Sequence, residues 1–135
     1  MKTIFVDANV FLRFFTVDDR GQHEQAAALF RQAAAGKVTL VTGPPVLFEI
    51  AWTLRSAYRQ TNAKVLDVVA AIAALPGLQL TDMQVVEGAL TLAKASGQEF
   101  ADAYVAAASR QVGADEVATF NRKHFDRLGV AIHAF

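Results

Sequence analysis

The sequence predicts one α/β domain, a three-layer sandwich in which a mostly parallel sheet of four to five strands lies between helices. Its 135 residues suit a single domain spanning residues 1–135. Hydrophobic residues make up 53% of the chain, with a mean hydropathy of +0.27, which excludes a disordered tail. Five short apolar stretches alternate with longer helical patterns, as in parallel sheets that are covered on both faces.

The predicted strands are short, nearly continuous in apolar character and rich in β-branched residues. The first stretch (TIFV) is typical of a buried strand. The predicted strands cover residues 3–6, 38–41, 78–80, 117–120 and 130–132.

Helical patterns fill the stretches between the strands, and turn residues mark their ends. Glycines close three of the helices, Pro45 fits a first helical turn, and Asn62 and Asp82 occupy N-cap positions. The predicted helices cover residues 10–15, 22–35, 45–60, 63–75, 83–96 and 101–112, with a short helical turn at 122–127.

Composition excludes several classes of protein. Thirteen basic residues balance thirteen acidic ones, so long-range attraction to nucleic acid is weak and any anion binding is local. The absence of cysteine excludes a disulfide scaffold, thiolate zinc sites and a cysteine nucleophile. No apolar run approaches the roughly 20 residues that cross a bilayer, and polar residues interrupt the apolar N-terminus. We therefore expect a cytoplasmic protein with no membrane association.

Polar side chains stand where predicted strands end or helices begin. Asp7 follows the first strand, Glu49 is expected in a first helical turn, Asp102 begins a helix and Asn121 follows the fourth strand. The carboxyl ends of parallel strands meet at one sheet edge, so these side chains are expected to gather there. Oxygen ligands alone favour Mg²⁺ or Mn²⁺, ions that suit phosphodiester hydrolysis.

Each of these residues also has an ordinary structural interpretation. Asp7 and Asn121 can cap the following helices, Glu49 can head a solvated face, and Asp102 complements the helix dipole. Glu99 could share a face with Asp102. Two like charges ~4 Å apart repel by about 4 kcal/mol at an effective dielectric of about 20, so such a cluster needs a cation or a proton.

Four blocks of the chain, taken in order, resemble a PIN-domain ribonuclease, and specifically a VapC-type toxin of a bacterial type II toxin–antitoxin pair. No single block is specific, but the ordered set is, and it runs from end to end. The blocks are residues 4–10 (IFVDANV), 45–49 (PVLFE), 100–103 (FADA) and 118–121 (ATFN).

The resemblance implies a set of site residues. The family's acidic residues around Mg²⁺ or Mn²⁺ correspond to Asp7, Glu49 and Asp102. Asn9 matches a polar residue often found beside the first acid, and Thr119 matches a hydroxyl before the last block.

The family often has aspartate where this chain has Asn121. The amide lacks the negative charge, so a second metal ion would be held less well. The implied catalytic set is nevertheless Asp7, Glu49, Asp102 and Asn121.

The resemblance also implies a function and partners. The chain would be a metal-dependent endoribonuclease, a homodimer, and the partner of a VapB-like antitoxin that blocks its acidic pocket. Its substrate would be a structured RNA, often one cut at a single-stranded loop. Basic residues near residues 55–64 and 122–127 could contact phosphates, or could form solvated helix faces.

Two alternatives stay open. The missing charge at Asn121 is consistent with a non-catalytic PIN-like module that binds RNA or protein. The stretch at residues 7–9 faintly resembles the Asp-x-Asp motif of haloacid-dehalogenase-like phosphatases, although the second acid is missing and the chain is short for that fold.

The large apolar residues exceed what a small core obviously needs. Most are expected in the core, and some on a dimer or antitoxin surface. The set comprises Phe11, Leu12, Phe14, Phe15, Phe30, Leu47, Phe48 and Trp52.

Overall fold

The computed structural model describes all 135 residues, which form three strands and seven helices. The strands are β1 (Lys2–Phe5), β2 (Val38–Thr42) and β3 (Leu78–Leu80). The helices are α1 (Ala8–Thr16), α2 (Arg20–Ala34), α3 (Pro44–Ser56), α4 (Asn62–Ala73), α5 (Met83–Ser96), α6 (Phe100–Gln111) and α7 (Arg122–Arg127).

The sheet is parallel and has the strand order β1-β2-β3, so β2 is the central strand. Leu40 of β2 pairs with Ile4 on one side and with Leu78 on the other, and only 1% of its surface is exposed. Helices connect successive strands and flank the sheet. The prediction of an α/β fold built on a parallel sheet is therefore confirmed.

The sheet has fewer strands than the four to five that were predicted. Residues 117–120 and 130–132 form only an isolated parallel bridge between Val117 and Ile132. The Val117 amide donates to Ala131 O at 2.8 Å, and the His133 amide donates to Val117 O at 2.9 Å. Only Val117 of the predicted fourth strand is buried, so little apolar burial favours a longer ladder there.

Strand β1 was predicted to be buried, but it lies at an edge of the sheet and is largely exposed. Phe5 is 62% exposed, and no strand pairs with β1 on its second side. Val6, just beyond the strand, is buried, and its amide donates to Val41 O at 2.8 Å. The apolar pattern identified the strand correctly but not its position in the sheet.

Helix ends differ from the predictions where side chains bond to the backbone. Helix α3 ends at Ser56, four residues early, and the Ser56 hydroxyl donates to Trp52 O at 2.8 Å. Helix α4 is capped by Thr61, not Asn62, since the Thr61 hydroxyl oxygen accepts from the Lys64 amide at 3.3 Å. Asp82 stands at the N-cap position of α5, but its side chain makes no capping bond.

The carboxyl ends of the three strands are held close together. The Thr42 side chain is fully buried, and its hydroxyl donates to Val6 O at 2.9 Å, which ties the ends of β1 and β2. The Thr81 amide donates to Thr42 O at 3.0 Å, which ties the end of β3 to β2. A Cβ at Gly43 would overlap the Thr81 hydroxyl, so a larger residue there would force the Thr81 side chain to rotate.

Seven of the eight large apolar residues that were expected mostly in the core are buried or pack against it. The exception is Trp52, whose side chain is 70% exposed.

No helix of the chain is both long enough and apolar enough to span a lipid bilayer.

Candidate functional site

Asp7 stands at the carboxyl end of β1 and is the N-cap of α1. One carboxylate oxygen, Oδ1, accepts from the Ala8 amide at 2.8 Å, so the helix-capping interpretation is correct. The second oxygen, Oδ2, makes no hydrogen bond to protein. Capping and ligand binding are thus compatible, because each needs only one of the two oxygens.

Glu49 lies on the exposed surface of α3, in its second turn and not in the first turn as predicted. Its carboxylate makes no salt bridge and no hydrogen bond within the protein. The preceding residue, Phe48, packs edge-on against Tyr104 at a ring-centroid distance of 5.0 Å and tilted against Phe100 at 5.7 Å. These aromatic contacts join α3 to the first turns of α6, the helix that carries Asp102.

Asp102 is the third residue of α6 and the acidic residue of its first turn. Its Oδ2 lies 3.0 Å from Nδ1 of His124 on α7. A carboxylate only accepts hydrogen bonds, so this contact is a hydrogen bond when Nδ1 of His124 carries the proton. This bond leaves Oδ1 of Asp102 without a protein partner and fixes the orientation of the carboxylate.

Asn121 occupies the N-cap position of α7, but its side chain makes no capping bond. Its backbone amide donates to the Thr119 hydroxyl oxygen at 3.0 Å, which closes a tight turn before α7. The Asn121 side chain is exposed and makes no protein hydrogen bond. Thr119 therefore shapes the segment that precedes α7.

Glu99 does not pair with Asp102, although their spacing allowed it. It stands at the N-cap position of α6 without a capping bond, and its Oε1 lies 3.6 Å from Nη2 of Arg55. This ion pair directs Glu99 towards α3 and away from His124.

Two pairings were not predicted from the sequence: His124 with Asp102, and Asp82 with Tyr104. Asp82 follows β3 within two residues, which is the same signal that identified Asp7 after β1. Burial raises the pKa of the Tyr104 hydroxyl, and the nearby Asp82 charge raises it further. His124 and Asp102 are 22 positions apart along the chain, so no local sequence pattern predicts their contact.

Asn9, which the resemblance sets beside the first acid, faces a hollow between α1 and α2. This hollow has a volume of about 360 Å³ and is also lined by Arg13 and Gln22. Asp18 accepts from Arg13 at 3.0 Å and from the Tyr58 hydroxyl at 2.6 Å. The Tyr58 hydrogen bond is the main cause that lowers the pKa of the Asp18 carboxyl. These bonds fix Arg13 beside the hollow.

The structure does not gather the candidate residues around one point. No three histidine, aspartate or glutamate side chains are grouped closely enough to hold one metal ion. The available ligand atoms are nevertheless carboxylate oxygens, which is the type of ligand that a hard divalent cation prefers. Asp7, Glu49 and Asp102 each keep at least one carboxylate oxygen that no protein group uses, and such oxygens suit Mg²⁺ or Mn²⁺.

Comparison with known proteins gives one family for the chain. The sequence matches the PIN domain family over residues 4–131, nearly its whole length. No curated protein matches the sequence significantly. The matched range contains the parallel sheet except for the first two residues of β1, and it includes the capped Asp7 and the Asp102–His124 pair. The chain belongs to the PIN domain family.

Proposed function

We propose that this PIN-domain protein is an endoribonuclease that depends on Mg²⁺ or Mn²⁺. The observation that supports it is the course of the chain around three acids, which we place at the carboxyl edge of the sheet. Asp7 follows β1, Glu49 lies on α3, the helix after β2, and α3 contacts α6, which carries Asp102, through aromatic side chains. PIN domains are generally nucleases, and this acidic edge is consistent with that chemistry.

The proposed roles follow from the contacts of each side chain. Asp7, Glu49 and Asp102 would hold the cation with their free carboxylate oxygens, which requires their side chains to move closer together than they stand in the structure. A divalent ion bound there would polarise water for attack on the phosphodiester and stabilise negative charge on the phosphoryl oxygens. His124 positions Asp102 through the 3.0 Å hydrogen bond. Asn121 offers a neutral amide, which supports one cation better than two.

Basic side chains next to the acidic edge support RNA as the substrate. The exposed side chains of Arg122, Lys123 and Arg127 lie on α7, the helix that carries His124 towards Asp102, and none of the three forms a salt bridge. The net charge of zero leaves little general attraction for nucleic acid, so phosphate binding depends on such local groups.

The finer proposal is a VapC-type toxin that acts in the cytoplasm as a homodimer and is inhibited by a VapB-like antitoxin. Its support is the ordered set of four sequence blocks that resemble this branch of the family. Reading the open reading frame beside the gene tests the toxin role. A short upstream gene that encodes a DNA-binding N-terminus supports it, and sedimentation of the purified protein as a monomer at micromolar concentration would contradict the dimer.

A non-catalytic binding module is the second candidate, because three acids are not grouped in the structure and Asn121 lacks a charge. Membership of the PIN family leaves the haloacid-dehalogenase-like alternative without support.

Removal of divalent ions should separate the two candidates. Purified protein is expected to cleave end-labelled hairpin and single-stranded RNA in Mg²⁺ or Mn²⁺, and to leave both intact in EDTA. Circular dichroism in EDTA serves as the control for folding. Cleavage that is equal with and without EDTA would contradict a metal-dependent nuclease. RNA that is bound but uncut in both metals would support the binding module.

A further inference from the structure

Trp52 is the chain's one tryptophan and is exposed on α3, one turn after Glu49. Trp52 is 70% exposed, so it is the member of the large apolar set that lies on a surface and not in the core. A large aromatic side chain in solvent is a common feature of binding surfaces, because its flat face is free to stack. Trp52 lies three residues after Glu49 on α3, so it stands beside the proposed active site.

Trp52 stands where two hollows meet. The first is an open groove of about 500 Å³, lined by Trp52, Arg55, Ser56, Arg59, Gln60 and Glu99. The second is a smaller and more enclosed pocket of about 70 Å³, with Phe48 and Phe100 among its apolar walls. Trp52, Arg55 and Glu99 border both hollows, which therefore form one cleft. We refer to it as the Trp52 cleft.

The open groove has a surplus of positive charge. Arg55 is paired with Glu99, but Arg59 forms no salt bridge and its side chain is exposed. Arg59 also has a positive φ of 53°, which places it in the left-handed turn that follows α3. One unpaired cation beside an exposed indole is the combination that single-stranded nucleic acids bind, since bases stack on aromatic rings and phosphates approach arginine.

We propose that the Trp52 cleft binds one unpaired nucleotide of the RNA substrate. The base stacks on the Trp52 indole, and a neighbouring phosphate lies beside Arg59. This inference rests on the proposed nuclease function and adds to it a contact for a single-stranded part of the substrate next to the acidic edge. An acidic peptide would not use the stacking face, so the cleft favours a nucleotide.

The single tryptophan makes the test direct. Titration of wild-type protein with a single-stranded RNA hexamer in EDTA is expected to quench Trp52 fluorescence in a saturable way. An abasic oligonucleotide of the same length should quench it far less, because the base is what stacks. Fluorescence that does not respond to the hexamer would overturn the proposal.

Variants then locate the contact. Anisotropy with a labelled hexamer should show about ten-fold weaker binding for Trp52→Ala, with Trp52→Phe intermediate. Arg59→Ala should bind more weakly and with a shallower salt dependence. The matched controls are Val112→Ala, another exposed apolar residue, and Arg31→Ala on α2, both of which should bind as wild type does. Thermal unfolding checks that each variant is folded.

The outcomes distinguish this inference from the nuclease proposal. If the wild-type protein cleaves RNA in Mn²⁺ and Trp52→Ala binds the hexamer as tightly as the wild type does, the cleft proposal is wrong and the nuclease proposal stands. If hexamer binding depends on Trp52 but no metal ion supports RNA cleavage, the nuclease proposal is wrong and the cleft proposal stands. If sedimentation shows a dimer that Trp52→Ala converts to monomer while RNA binding is unchanged, the cleft is an interface between two copies of the chain.

Discussion

Replacement of Asp7 by asparagine is expected to reduce RNA cleavage by at least about 100-fold while the protein stays folded. Asparagine retains an oxygen that accepts from the Ala8 amide, so the cap of α1 survives. It loses the negative charge with which the carboxylate would attract a divalent cation. The measurement is kcat/KM for a labelled RNA in Mn²⁺, together with the melting temperature.

Asp67→Asn is the matched control for Asp7→Asn. Asp67 is an exposed acid on α4, away from the strand ends, and it makes no salt bridge. The same change of charge there should leave cleavage unaltered. Equal activity of Asp7→Asn and wild type would remove Asp7 from the proposed site.

Replacement of Gly77 by alanine should lower the free energy of unfolding by about 3 kcal/mol. Gly77 has a φ of +80°, and its carbonyl oxygen accepts from the Leu40 amide at 2.9 Å at the start of β3. A Cβ at this position would overlap the backbone carbonyl of Ala33 at the end of α2, and that group cannot move without disturbing the helix. Urea unfolding measures the loss.

Gly97→Ala separates backbone strain from steric overlap. Gly97 has a similar φ of +73°, but a Cβ there would meet nothing within 4 Å. Gly97→Ala should lower the free energy of unfolding by about 1 kcal/mol, which is the cost of the backbone strain alone. If Gly77→Ala and Gly97→Ala lower the free energy of unfolding equally, the overlap with Ala33 adds no cost and this prediction is wrong.

The sequence predicted those features that depend on local chemistry. Proline in the first turn of α3 and glycine at the end of α5 located helix boundaries to within a few residues. The alternation of short apolar runs with helices was sufficient to predict a parallel sheet. Asp7 could be assigned to the end of β1 because a strand and its following turn are adjacent in sequence.

Features that depend on distant contacts could not be predicted. Whether β1 is central or at an edge is decided by which segments pair with it, and residues 117–120 form only one bridge. The partner of Asp102 is 22 residues away, and Glu99 pairs with Arg55 from another helix. An aromatic residue on a helix has the same local pattern in a core as on a surface, so the sequence could not say that Trp52 is the member of the large apolar set outside the core.

The central claim is that Asp7, Glu49 and Asp102 together hold one divalent cation. Calorimetric titration of the folded protein with Mn²⁺ tests it most directly. The proposal predicts saturable binding by the wild type, loss of that binding in Asp102→Ala, and normal binding in Asp115→Ala, an exposed acid outside the site. Absence of Mn²⁺ binding at millimolar concentration, or undiminished binding in Asp102→Ala, would contradict it.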